Sequence, residues 1–164
     1  LFQDKVVRIT FKESHELLVA AGDDHEEFAD MTTAQERLLG QIMKEKYQTE
    51  LYIVDRFPLA IRPLYTMPCH DDPLYSNSYD VFLRGEEITS GAQRIHDPEL
   101  LTKRAVECGI PLDGISTYIE SFSNGAVAHG GAGFGLERVV FLFLGLKNIR
   151  LSSMWPRAPN RYKP

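Results

Sequence analysis

Hydrophobic and polar positions along the chain fall into two periods. Lys5 to Ile9 and Glu50 to Asp55 (ELYIVD) carry the alternating, β-branched and aromatic pattern of short strands, the second more clearly than the first. Between them lie two helical patterns. Leu17, Leu18 and Ala21 follow Thr10 and run to Gly22, while Leu38, Leu39, Ile42 and Met43 follow Thr33, with lysines toward the helix end. Each opens on a threonine with an acid three residues later, Thr10 with Glu13 and Thr33 with Glu36, which is the spacing of a capping box. Asp23, Asp24, Glu26 and Glu27 lack the regular ligand spacing of a hard-cation loop and read as a solvated connection.

The remainder is punctuated by turn residues. Pro58, Pro63 and Pro68 predict extended or irregular backbone from Arg56 to Pro68. Cys69-His70-Asp71-Asp72 lies in a loop between prolines, where adjacent residues rarely converge on one point, so it reads as structural. Ser76 to Asp97 (SNSYDVFLRGEEITSGAQRIHD) reads as two strands around Arg84-Gly85. Asp97-Pro98 then opens a helix to Cys108, stopped by Gly109, and Leu112 to Ser121 forms another short helix. Gly130 to Arg138 (GGAGFGLER) runs into a helix over Leu136 to Leu144 that is apolar almost all round, and so expected to be buried.

Composition narrows the classes. At 164 residues, with 43% apolar and 25% charged positions, one domain with its own core is expected. A net charge of −5 argues against binding dominated by nucleic-acid phosphates. Cys69 and Cys108 stand alone, which suits a reduced intracellular chain. The longest apolar run, Val139 to Leu144, is too short for a membrane span, and no signal peptide follows Leu1.

The hairpin carries the chemistry. A two-residue turn at Arg84-Gly85 pairs Phe82 with Glu87 and puts Asp80 diagonally from Glu87 on one sheet face. Two carboxylates so placed call either for a cation between them, such as a magnesium ion that also takes phosphate oxygens, or for a salt bridge from one acid to an arginine. Arg94 is an odd number of residues beyond Glu87, so strict alternation separates them. A bulge at Thr89-Ser90-Gly91 would bring them to one face. Arg94 would then hold a substrate carboxylate in a two-pronged contact, or else an ion-pair partner such as Asp97 or Glu86. Gly130, Gly131, Gly133 and Gly135 let backbone pass close to a ligand but match neither a dinucleotide fingerprint nor a P-loop. Arg138, in the first turn of the last apolar helix, suits a terminal phosphate or an acid elsewhere.

These stretches together resemble the class II aminoacyl-tRNA synthetases, and within them the aspartyl branch of eukaryotic and archaeal type. GGAGFGLERVVFLFLG is similar to the third signature motif of that family, and SNSYDVFLRGEEITSGAQRIHD to the hairpin of the aspartyl branch. FPLAIRPLYTMP and the ending NIRLSSMWPRAPNRYKP match further segments. The likeness implies an α+β fold, an antiparallel β-sheet flanked by helices, present here as the C-terminal portion (1–164) of the catalytic domain, with the hairpin at 76–97 and motif 3 at 130–145. It places the anticodon-binding domain and motifs 1 and 2 upstream of Leu1, and implies that this chain alone forms adenylate too slowly to be useful.

Roles follow from the same resemblance. Asp80 and Glu87 match metal and ATP-phosphate carboxylates. Ser90 and Arg94 match positions that hold L-aspartate, Arg94 on its side-chain carboxylate. Gly135, Leu136, Glu137 and Arg138 match the ATP-binding segment, with Arg138 on the γ-phosphate, and Arg94 and Arg138 are the candidate catalytic pair. The implied cofactors are ATP and Mg²⁺, the partners tRNA-Asp and a second copy in a homodimer, and the location the cytoplasm. One departure is Ala126-Val127-Ala128-His129, where the family has Pro-Pro-His, so His129 is set aside as a site residue. The competing readings are an asparaginyl enzyme and a non-catalytic synthetase-like binding protein.

Overall fold

A computed structural model describes residues 6–157. Five strands form one sheet in chain order: β1 (Val7–Thr10), β2 (Leu51–Asp55), β3 (Ser78–Leu83), β4 (Glu86–Arg94) and β5 (His129–Phe134). The sheet is antiparallel from β2 to β5, and β1 joins β2 in parallel. The parallel pairing needs a crossover, supplied by α1 (Phe11–Ala20) and α2 (Thr33–Tyr47). β1 starts two residues and ends one residue later than the span the pattern predicts, and Lys5 lies outside the described residues.

Local chemistry sets the helix ends. Thr10 and Glu13 form the expected capping box. At α2 the box is one residue earlier than expected: Thr32 caps the helix and Gln35, not Glu36, reaches back to its N–H. Two successive threonines offer the same motif in both registers. The Thr32 register frees Glu36 to face the hairpin. Ile9, Tyr52, Val54 and Phe82 from one sheet face pack against Phe11, Leu18, Leu39 and Met43, all essentially buried, to form the core.

The β3–β4 hairpin turns as expected on Arg84 (φ 56°) and Gly85 (φ 75°), both left-handed. Gly40 of α2 lies so close to this turn that a Cβ there would sit 2.7 Å from the Gly85 Cα. Residues 56–77 cross the end of the sheet, with a 3₁₀ turn at Leu59–Ile61 and an isolated bridge between Thr66 and Arg94. Met67 N–H donates to the Gln93 carbonyl and Ile95 N–H to that of Tyr65, fixing this crossing against the end of β4.

α3 (Pro98–Glu107) starts at its Asp97 cap, and the next segment divides into a 3₁₀ turn at Leu112–Ile115 and α4 (Ser116–Ser123). α5 (Leu136–Phe143) corrects the expectation of burial: Leu136 is 70% and Phe143 85% exposed, and only Leu142 is buried. An all-round apolar helix needs cover on every side, and among the described residues its cover comes chiefly from β4 and the 3₁₀ turn at Ile149–Ser152. No helix among the described residues is long and apolar enough to cross a membrane.

Candidate functional site

The phase change that the hairpin chemistry requires exists, one position earlier than expected. Phe82 pairs with Glu87, Val81 with Thr89 and Asp80 with Ser90, which leaves Ile88 as the extra residue of a bulge. Asp80, Phe82, Glu87, Ser90 and Arg94 consequently share the face that also carries the core. Gly91 has another reason to be glycine: a Cβ there would meet the Tyr79 ring at 2.6 Å. The bulge is held from the far side, because Gly135 N–H donates to the Ile88 carbonyl at 2.9 Å and Arg138 Nη1 to the Glu87 carbonyl at 2.6 Å. The glycine-rich strand and the hairpin therefore form one structure.

A cleft of about 300 Å³ opens on this face, lined among others by Arg62, Tyr65, Ser90, Arg94 and Gly131. Arg94 is exposed and lies 5.6 Å from the Tyr65 ring centroid. Neither expected acid pairs with it: Asp97 caps α3 and Glu86 binds Arg37 at 3.0 Å. Among the described residues Arg94 has no ion pair. Gly131 leaves room for its guanidinium, since a Cβ there would lie 3.0 Å from Nη2. His129, set aside from the sequence, pairs across the ladder with Arg94, its Nδ1 at 3.1 Å from the Val127 carbonyl.

The two acids differ. Asp80 is buried and its Oδ2 accepts from Arg62 Nη2 at 2.7 Å, so the alternative of a salt bridge is realised on one oxygen. Its Oδ1 is buried without a hydrogen-bond partner. Glu87 is half-buried, with Arg138 Nη1 at 3.7 Å from Oε1. Burial pushes its carboxyl above the usual carboxylate range and the Asp80 charge pushes it further, while Arg138 and Arg62 pull it back. Among the described residues no set of three histidines, cysteines or acids could hold a metal. The two acids nevertheless fit an ion that takes most of its ligands from phosphate and water: one has a buried, unpartnered oxygen, and each raises the electrostatic cost of the other.

Three participants escaped the sequence reading. Arg62 was visible only as part of a matching segment, and Tyr65 reaches the cleft only through the crossing of residues 56–77. Glu36, read as a cap, has its carboxyl pushed up to about 7, first by burial and then by the charge of Glu87, with Arg138 opposing. The native state therefore keeps this proton to higher pH than the unfolded chain, and binds more protons between about pH 4.5 and 7. Stability must fall as pH rises through that window. Glu36→Gln is expected to be more stable than wild type at pH 8 and close to it at pH 5 in urea titrations; an equal difference at both pH values would refute the assignment.

The Cys69 to Asp72 run is structural, as expected: Cys69 is buried on Asn77 and Asp71 pairs with Arg56 at 2.8 Å.

Comparison with known proteins gives consistent results. The model of the tRNA synthetases class II (D, K and N) matches residues 1–159. Cytoplasmic aspartate–tRNA ligase 2 of Arabidopsis thaliana is 57% identical over 163 residues, which cover 99% of this chain and 29% of that protein. Aspartyl tRNA synthetase from Entamoeba histolytica superposes with a TM-score of 0.96 at 54% identity, over 100% of this chain and 34% of the other. Asparaginyl-tRNA synthetase from Pyrococcus horikoshii superposes with a TM-score of 0.91 at 29% identity, over 99% of this chain and 38% of the other. The chain thus spans about a third of the length of these proteins.

Proposed function

The chain belongs to the class II tRNA synthetases of the D, K and N group, and from that premise we propose that it is the C-terminal portion of the catalytic domain of a cytoplasmic aspartate–tRNA ligase. The full-length protein would activate L-aspartate with ATP and transfer it to tRNA-Asp. The observation that carries this reading is Arg94, an exposed guanidinium without an acidic partner among the described residues, at a cleft also lined by Ser90 on the sheet face that carries Asp80 and Glu87. A cation left without an acidic partner calls for an anionic ligand, and a two-pronged guanidinium matches a carboxylate.

In the reaction, an α-carboxylate oxygen of aspartate attacks the α-phosphorus of ATP, the P–O bond to the β-phosphate breaks, and pyrophosphate leaves. The adenylate then passes its aspartyl group to a ribose hydroxyl at the tRNA 3′ end, releasing AMP. Arg94 and Ser90 fix the aspartate side chain and thereby orient its α-carboxylate. Arg138 meets the γ-phosphate from the first turn of α5, where the helix N-terminus adds favourable potential. Gly135, Leu136 and Glu137 offer backbone to the nucleotide. Asp80 and Glu87 would hold Mg²⁺, which supplies neutralisation of the phosphate charge. The chain's own contribution is positioning and electrostatics, without a covalent enzyme intermediate.

The test is thermal stability with non-hydrolysable aspartyl- and asparaginyl-adenylate analogues. A ligand bound only to the folded state raises apparent stability with the logarithm of its concentration above the Kd. A rise in Tm with the aspartyl analogue and a smaller one with the asparaginyl analogue is expected. The reverse order would assign an asparaginyl enzyme, and no rise with either would mean that the upstream part of the catalytic domain is needed to build the pocket.

A further inference from the structure

We propose that Arg62 is a positioning residue that turns Asp80 into a half-free metal ligand and Ser90 into a hydrogen-bond donor toward the substrate. The inference rests on the aspartate–tRNA ligase reading and assigns a role to a residue outside the hairpin and outside the glycine-rich strand.

The geometry is specific. Arg62 Nη2 donates to Asp80 Oδ2 at 2.7 Å and Nη1 donates to Ser90 Oγ at 3.3 Å, so one guanidinium spans two strands. Its plane is seated on the core, with the guanidinium carbon 3.8 Å from the Phe57 ring centroid. Pro63 follows it and biases Arg62 toward extended backbone, which projects the side chain off the 3₁₀ turn. The Arg62 and Asp80 side chains are 14% and 6% exposed, and burying a carboxylate is costly without a charged, hydrogen-bonded partner.

Two consequences follow from hydrogen-bond polarity. Guanidinium groups only donate. Arg62 therefore occupies one oxygen of Asp80 and leaves Oδ1, buried and without a partner, for a cation shared with Glu87. A ligating carboxylate oriented by an outer hydrogen bond is the usual arrangement around metals. By the same rule Ser90 Oγ accepts from Arg62, so its own hydrogen is free for an acceptor in the cleft. An aspartate carboxylate is such an acceptor. An ammonium in place of the guanidinium is one point charge and cannot serve Asp80 and Ser90 together.

Mn²⁺ titration of the full-length protein with a non-hydrolysable ATP analogue, followed by electron paramagnetic resonance, tests this without relying on turnover. Arg62→Met is expected to weaken Mn²⁺ about tenfold or more. Arg62→Lys, which keeps the charge and safeguards folding, is expected to weaken it less while raising the aspartate KM at an unchanged Tm. In an Asp80→Asn background Arg62→Lys should cause no further loss of Mn²⁺ affinity. Mn²⁺ affinity within twofold of wild type in both variants would overturn the proposal, as would tighter binding, which would make Arg62 a competitor of the ion. A full additional loss in the Asp80→Asn background would overturn it too. Wild-type protein that takes up no Mn²⁺ overturns the Asp80 role. Mn²⁺ uptake that depends on Arg62, in a protein not stabilised by the aspartyl analogue, would refute the amino-acid assignment and leave Arg62 in place.

Discussion

Arg94→Lys is expected to raise the aspartate KM in aspartate-dependent ATP–pyrophosphate exchange by roughly ten- to a hundredfold, with the Tm essentially unchanged. A hydrogen bond to a charged group contributes about 1.5–3 kcal/mol, and each 1.4 kcal/mol is a factor of ten. Lysine keeps the charge but loses the fork, so the loss measures geometry rather than electrostatics. Stability is spared because Arg94 is exposed and among the described residues has no ion pair to break. Arg94→Gln should go further and abolish the preference for aspartate over asparagine, since an amide no longer penalises the neutral side chain. An unchanged aspartate KM in both variants would remove Arg94 from the substrate site.

The largest effect on folding is expected at a residue remote from the cleft. Gly40→Ala places a Cβ 2.7 Å from both the Cα and the N of Gly85, and backbone cannot rotate aside as a side chain can. Either α2 must lift from the hairpin turn or the turn must shift. Overpacking of this kind costs about 1–3 kcal/mol. At about 2–4 °C per kcal/mol for a chain of this size, the Tm should fall by roughly 3–10 °C. Gly85→Ala should fall at least as far, because its Cβ would meet Arg37 Cα at 2.9 Å and its φ of +75° disfavours any side chain. Calorimetry of Gly40→Ala within 1 °C of wild type would mean that the helix and the turn are not in rigid contact.

How far the sequence reveals this depends on the range of each interaction. The Arg84-Gly85 turn, the Thr10 cap and the Asp97 cap were legible because each is decided within four residues. The need for a bulge was legible too, from the odd spacing of Glu87 and Arg94, but its place at Ile88 was not. That place depends on Gly135 and Arg138, which reach the Ile88 and Glu87 carbonyls from more than forty residues away. Arg62 escaped notice for a related reason: nothing in its neighbourhood says that Asp80 and Ser90 lie within its reach. The burial expected of α5 failed because periodicity reports that a surface is apolar, not what covers it.

The Ile88 bulge also makes β4 a counter of parity. Glu87 and Ser90, an odd number of positions apart, share a face only because the ladder skips Ile88 between them. Removing Ile88 would leave an even spacing, so a regular strand would still turn Glu87 to the side of Ser90 and Arg94, but without the carbonyl that Gly135 reaches. A change of length between Glu87 and Ser90 therefore preserves the site only when the residues that the ladder counts between them remain odd in number.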